Sequence, residues 1–239
     1  MPILISVEGN IGSGKSTFLK QLEKKFKGKD IFFLQEPVNE WNSIKNEDNT
    51  TILEEFYKDN KTWAFSFQMM AYITRLKSLR DLVKKYGKNI IIISERSLWT
   101  DKNVFAKMLY DENKISTIDF QIYNKWFDEF TNEFPINGII YLNTSPKTCY
   151  DRVKIRSRVG EETIPLSYLD MCSKYHNNWI KNEKCKILEF IGEGNETLDI
   201  SPKWLKDVDS FIKYFDDTLN INSQETIINY EDIMLKMGF

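Results

Sequence analysis

Cysteine is scarce in this 239-residue chain, which has only Cys149, Cys172 and Cys185 and no C-x-x-C pair. An odd number of scattered thiols gives no disulfide framework and no cysteine-based zinc site; reduced, packed or half-exposed thiols in an intracellular protein are expected. Histidine is scarcer still. The single imidazole, His176 in Tyr175-His176-Asn177-Asn178-Trp179, has no metal-binding or catalytic neighbours in sequence, so a surface or packing role is expected for it. No apolar run approaches the ~20 residues that cross a bilayer. Net charge is nearly absent too: 33 Lys and Arg against 35 Asp and Glu leave −2. Such a surface gives no support to broad nucleic-acid or anionic-membrane binding, so neither partner is expected and any strong positive field must be local. Repeats, low-complexity tracts and linkers are missing. The first apolar strand begins at Ile3, which leaves no room for a presequence, so a cytoplasmic location is expected.

What is present is an alternation of short apolar runs and long amphipathic stretches. The length suits a single α/β domain spanning 1–239 with a substantial core. Five runs, Ile3–Val7, Ile31–Leu34, Ile90–Ser94, Ile139–Leu142 and Ile187–Phe190, lack strict alternation, as strands covered on both faces do. Helical patterns are predicted over Thr17–Phe26, Ile52–Asp59, Thr62–Lys85, Thr100–Glu112, Ser116–Glu133, Pro146–Arg156, Ser167–Lys181 and Lys203–Leu219. The alternation predicts a five-stranded parallel sheet flanked by helices. Two helical stretches, Thr62–Lys85 and Ser116–Glu133, are apolar around most of their circumference. Such helices are covered on both sides, one by the sheet and the other by a ligand, a helix or a second subunit.

The chemistry-bearing motif is Gly9-Asn10-Ile11-Gly12-Ser13-Gly14-Lys15-Ser16-Thr17, between the first strand and the first helix. This is G-x-x-x-x-G-K-[ST] in the strand-to-helix setting its chemistry needs. Its glycines let consecutive N–H groups turn towards phosphate oxygens, and the helix start adds its positive dipole end. Lys15 is then expected on the β- and γ-phosphates, and the Ser16 hydroxyl on Mg²⁺. A nucleoside triphosphate is the expected ligand. No guanine-reading N-K-x-D follows a strand, because Asn124-Lys125-Trp126-Phe127-Asp128 has the wrong spacing and lies in a helical pattern.

Three further features narrow the reaction. Glu36 follows the second strand, where open α/β sheets bind ligands, and Pro37 favours an extended backbone that projects its carboxylate. Such a carboxylate can accept the proton of an attacking hydroxyl. Glu95-Arg96-Ser97 ends the third strand at the same crevice. Arg152 and Arg156 share a helix face, and Arg158 follows where the chain reaches Val159-Gly160. Three guanidiniums there predict a lid, over about 152–163, that clamps transferring phosphate; the alternative is a solvated basic face paired with Glu161 and Glu162. A small-molecule P-loop kinase fits these features better than a GTPase or a motor ATPase.

Together these motifs resemble the deoxyribonucleoside kinase family, its deoxycytidine and deoxyguanosine branch in particular. The resemblance rests on Glu8 through Thr17, Glu36-Pro37-Val38 with Trp41, Trp63 through Gln68, Glu95-Arg96-Ser97, and Arg156-Ser157-Arg158 through Leu166. It implies transfer from ATP with Mg²⁺ to the 5′-hydroxyl of a deoxyribonucleoside, in nucleotide salvage. Glu36 would be the base, and Arg96 would orient it and stabilise the phosphoryl oxygens, with Lys15, Arg156 and Arg158 completing the catalytic set. Ser16 and Glu95 would hold the metal, and the phosphate loop with Arg152 and Arg156 would bind the donor. Tyr57 and Glu161 would read the 3′-hydroxyl, and Gln68 the base edge. Phe67 and Phe105 would sandwich the base beside Trp41. An Arg75–Asp101 ion pair and the small Ala71 would favour deoxycytidine or deoxypurines over thymidine. The resemblance also implies a homodimer through the two over-apolar helices. Thymidylate kinase is the competing reading, but it places arginine before Glu-Pro where this chain has Gln35. A nucleotide-sensing protein without catalysis is a third reading, and it would have no need of Glu36.

Overall fold

A computed structural model of the chain describes residues 1–26, 31–158, 160–194 and 199–217. Met1–Ile200 form one compact unit and Ser201 onward a second. The described part of the second is a helix over 202–217, started by Pro202 with the Ser201 hydroxyl accepting from the Trp204 N–H at 3.2 Å. The predicted Lys203–Leu219 helix thus runs at its end outside the described residues. Among the described residues no helix is long and apolar enough to cross a membrane.

The first unit holds the five predicted strands in one sheet: β1 (Ile3–Gly9), β2 (Ile31–Leu34), β3 (Ile91–Glu95), β4 (Ile136–Asn143) and β5 (Lys186–Ile191). All neighbours pair in parallel, in the order β2-β3-β1-β4-β5. The central β1 is buried at every position, its Ile3, Leu4, Ile5 and Val7 in the core with Ser6 and Glu8 buried among them. The chain crosses from β1 outward to β2, then returns through β3 and passes to β4 on the other side. That reversal opens a crevice beyond the carboxyl ends of β1, β2 and β3.

Helix α1 (Lys15–Lys25) follows β1 directly. After β2 come a short α2 (Val38–Ser43), unpredicted from sequence, then α3 (Ile52–Lys58) and the long α4 (Asn60–Tyr86). A Thr51–Glu54 capping box starts α3, and the Asp59 side chain caps α4. The predicted Thr100–Glu112 helix starts earlier and is composite: α5 (Leu98–Thr100), a π-helical turn (Asp101–Ala106) and α6 (Lys107–Asp111) run on continuously. Then follow α7 (Thr117–Phe130), α8 (Pro146–Arg156) and α9 (Leu166–Asn182).

The main core lies where α3, α4 and the α5–α7 region meet the sheet. The over-apolar α4 buries Phe67, Gln68, Ala71, Arg75, Leu76 and Leu79 on its inner side. Its Tyr72 packs edge-on against Tyr123 of α7, with ring centres 6.0 Å apart, so α4 and α7 lie together. Helix α7 buries only Tyr123 and Phe127. Ile118, Ile122 and Trp126, spaced four apart, are 71, 40 and 46% exposed, an apolar stripe that the described residues leave open.

Candidate active site

The turn from β1 to α1 is dictated by its glycines. Gly9, Gly12 and Gly14 all have positive φ. A Cβ on Gly12 would lie 2.5 Å from the Cys149 carbonyl oxygen, and one on Gly9 2.6 Å from that of Leu142, so no side chain fits there. Asn10 fastens the loop, its Nδ2 donating to the Leu169 carbonyl and its Oδ1 accepting from the Ile11 N–H, both at 2.8 Å. Lys15 Nζ curls back to the Asn10 carbonyl at 2.6 Å. Burial, and then the Arg96 charge, lower its pKa to about 8. Ser13 Oγ is buried with no partner among the described residues. Ser16 Oγ donates to Glu95 Oε1 at 2.7 Å, joining a hydroxyl and a carboxylate in the arrangement a hard divalent cation takes. Donor and metal chemistry therefore fit this end of the site.

Next to the cradle stands a network of two carboxylates and two guanidiniums. Glu36, just past β2, has Arg75 Nη2 at 3.2 Å and Arg96 Nε at 3.3 Å. Burial alone would raise its pKa, but Arg96, Arg75 and Lys15 outweigh burial and hold the carboxyl below its usual range. Arg75, from α4, also donates from Nε to Asp101 Oδ2 at 2.9 Å and from Nη1 to the Glu95 carbonyl at 2.7 Å. Burial is the largest effect on Asp101 and pushes it up to about 6 against the pull of Arg75.

Arg96 is the strained member, with φ +63 in a residue that is not glycine. Its N–H bonds to the Val7 carbonyl at 3.0 Å, and its carbonyl accepts from the Ser94 hydroxyl at 2.7 Å. That backbone turn re-aims the side chain at the end of β3. Arg96 Nη1 then reaches the Gly9 carbonyl at 3.0 Å, and the guanidinium lies 4.7 Å from the centre of the Phe105 ring.

One cavity of about 570 Å³ runs from the phosphate loop to α4, within the ordinary range for small-molecule sites. Lys15, Ser16, Thr17, Glu95 and Arg96 line one end; Trp41, Tyr57, Phe67, Gln68, Ala71 and Phe105 line the other. Glu36, Asp101 and Glu161 also line it, whereas Arg75 reaches the site through Glu36 and Asp101. Gln68 Oε1 is buried without a partner among the described residues, an acceptor presented to whatever fills the slot. Trp41 is held by its Nε1 donating to Thr74 Oγ1 at 3.0 Å and packs edge-on against Phe67.

The arginines at the end of α8 do not act as one group. Arg152 donates to the Ser13 carbonyl at 3.3 Å and to the Gly194 carbonyl. Arg156 and Arg158 both turn to the buried Glu161 carboxylate, Arg158 at 3.1 Å. Lys154 goes to the Glu162 carbonyl instead. All three arginines still line the cavity. Val159, at the middle of the predicted lid, lies outside the described residues.

A profile of the deoxynucleoside kinase family matches residues 5–229. The chain is 39% identical over 199 residues to a probable deoxycytidine kinase of fowlpox virus, covering 80% of this chain and 79% of that one. It is 30% identical over 238 residues to the deoxycytidine kinase of Bos taurus, covering 90% of each. With the mitochondrial deoxyguanosine kinase of Xenopus laevis the identity is 31% over 201 residues, covering 77 and 75%. The chain belongs to the deoxynucleoside kinase family. It is a nucleoside kinase.

Sequence reasoning missed several residues of this kinase's cavity. Phe56 of α3 lies flat on Phe67, with ring centres 4.6 Å apart, and Leu53 and Tyr168 complete the apolar wall. Their spacing on α3 and α9 reads as ordinary core, so only their placement at the cavity distinguishes them. His176 was expected on the surface or in packing. It is fully buried, and its Nε2 lies 3.3 Å from Arg96 Nη1. Nothing in the sequence around it signals that contact.

Proposed function

We propose that this kinase transfers the γ-phosphoryl group of ATP, with Mg²⁺, to the 5′-hydroxyl of a deoxyribonucleoside in nucleotide salvage. One observation carries the reading. An ionised, doubly arginine-braced Glu36 lies in a single cavity with a phosphate cradle at one end and an aromatic slot carrying an orphan amide oxygen at the other. When bound, ATP with its metal supplies an activated phosphorus and a shielded leaving group. The chain's own groups do the rest. Glu36 accepts the proton of the 5′-hydroxyl as it attacks, and Arg96 orients Glu36 and faces the charge that develops. Lys15 would leave the Asn10 carbonyl for the phosphates, and Ser16 with Glu95 would hold the metal, which would neutralise charge on the phosphates. Gly9, Asn10, Ile11, Gly12, Ser13, Gly14 and Thr17 cradle the phosphates, with Arg152 and Arg156 alongside.

Tyr57 and Glu161 read the 3′-hydroxyl. Arg156 and Arg158 swing from Glu161 to the transferring group as the lid closes, excluding water. The base lies between Phe67 and Phe105, its edge on Gln68, beside Trp41 and Ala71. Arg75 and Asp101 fill the space a thymine methyl would need, which favours deoxycytidine or a deoxypurine. The names of the relatives support that preference. The exposed Ile118, Ile122 and Trp126 stripe supports a homodimer through α4 and α7, and a cytoplasmic location suits the free thiols.

The test is ADP release from purified protein with ATP and Mg²⁺, offered deoxycytidine, deoxyadenosine, deoxyguanosine, thymidine and thymidylate separately. Turnover with nucleosides, deoxycytidine or a purine leading and thymidylate silent, is expected. Turnover with thymidylate alone would overturn the acceptor assignment.

A further inference from the structure

The buried imidazole of His176 has a determined protonation pattern. Its Nδ1 lies 2.8 Å from the Cys172 carbonyl oxygen, which can only accept, so Nδ1 carries the hydrogen. Nε2 is then a lone pair, and it lies 3.3 Å from Arg96 Nη1, which can only donate. Burial, and then the positive Arg96, push the pKa of His176 well below 6.5, which keeps the ring neutral and its acceptor intact. The ring is also fixed on its faces: Phe105 stands edge-on to it at 6.1 Å, and Tyr141 stacks against it at 6.5 Å. Tyr141 is held in turn, its hydroxyl donating to Asn177 Oδ1 at 2.7 Å.

Arg96 needs such a holder. Its backbone is strained, and its side chain must face Glu36, the Gly9 carbonyl and the Phe105 ring at once. The two hydrogens of Nη1 divide between the Gly9 carbonyl and His176 Nε2, which locks the plane of the guanidinium. Without the imidazole, Nη1 keeps only the Gly9 bond, and the Glu36 and Phe105 contacts are left to hold the plane with one acceptor fewer.

We propose that His176 is a positioning residue for the phosphoryl transfer, its unprotonated Nε2 holding Arg96 in the plane that serves Glu36. This rests on the role given to Arg96 above. His176 touches neither substrate nor donor; it acts through Arg96 alone.

Two amide substitutions separate this role from simple packing. In H176N the amide nitrogen takes the place of Nδ1, keeping the Cys172 bond and losing the acceptor for Arg96. In H176Q the amide oxygen reaches the place of Nε2 and keeps that acceptor. H176N is expected to lower kcat on the order of 10-fold or more, with H176Q staying within about threefold of wild type and KM for the nucleoside moving less than kcat. In an Arg96→Lys background H176N should cost nothing further. Equal losses in the two amide variants, or additivity with Arg96→Lys, would overturn the positioning role while leaving the kinase reading intact. Absence of nucleoside-dependent ADP release from the wild type would overturn that reading and the role with it. Because the chain has one histidine, ¹⁵N-histidine NMR of the wild type reports the ring directly, whether or not the variants fold. A neutral Nδ1–H tautomer at pH 7 is expected, and an Nε2–H tautomer would overturn the proposal.

Discussion

Arg75 Nη2 lies 3.2 Å from Glu36 Oε1, so the guanidinium that pairs with Asp101 at the cavity wall also braces the carboxylate beside the phosphate cradle. Under the proposed roles, base selection and phosphoryl transfer share one buried charge. A change meant to alter the base also removes a cation from the carboxylate.

The double variant Arg75→Met with Asp101→Ala follows from that sharing. It opens apolar space near the base and strips Glu36 of one of its two arginines. Thymidine use relative to deoxycytidine should rise on the order of 10-fold, while kcat for both falls. Steady-state kinetics with the two nucleosides checks this, and an unchanged ratio would refute the pocket assignment.

Glu36→Gln keeps the shape of the side chain and removes the proton acceptor. Turnover should drop by about 10²–10⁴-fold, with nucleoside affinity roughly kept. Calorimetric binding alongside initial rates separates the two effects. Near-normal turnover would sink Glu36 as the base.

Lys15 predicts the pH dependence of donor binding. Its pKa is lowered to about 8 in the free protein, and a bound polyphosphate favours the charged form. Below pH 8 the lysine is already protonated and contributes no dependence. Above it, binding must take up a proton, so the ATP dissociation constant should rise by up to about tenfold per pH unit. Titration calorimetry between pH 7 and 9.5, in buffers of different ionisation enthalpy, measures both the slope and the proton uptake. A flat profile with no uptake would contradict it.

The uncovered stripe on α7 makes a prediction about assembly. Ile122→Glu with Trp126→Lys places charge in the middle of the face assigned to the second subunit. Sedimentation velocity should find a dimer for the wild type and a monomer for the variant. A monomeric wild type would refute the assignment.

Local physics made much of this protein legible in its sequence. The glycine-rich turn, the lysine and hydroxyl after it, the five apolar strands and the alternation with helices depend on backbone conformation and burial periodicity, which neighbouring residues carry. Composite and long-range features were not legible. The π-turn that brings Asp101 and Phe105 to the pocket reads from sequence as an ordinary helix. Pairing of the arginines at the end of α8 with Glu161 is one of two readings open in the sequence, and only the fold shows Arg156 and Arg158 on that buried carboxylate while Arg152 goes elsewhere. Arg75 meets Glu36 across 39 residues, and Arg96 meets His176 across 80. Hydrogen bonds require distances near 3 Å and fixed directions, which only the packing of α4, α9 and the sheet supplies. The phosphate cradle and the class of fold that presents it follow from residues close together in the chain. Tertiary structure alone decided which charges share a partner, and it made the lone histidine a neighbour of Arg96.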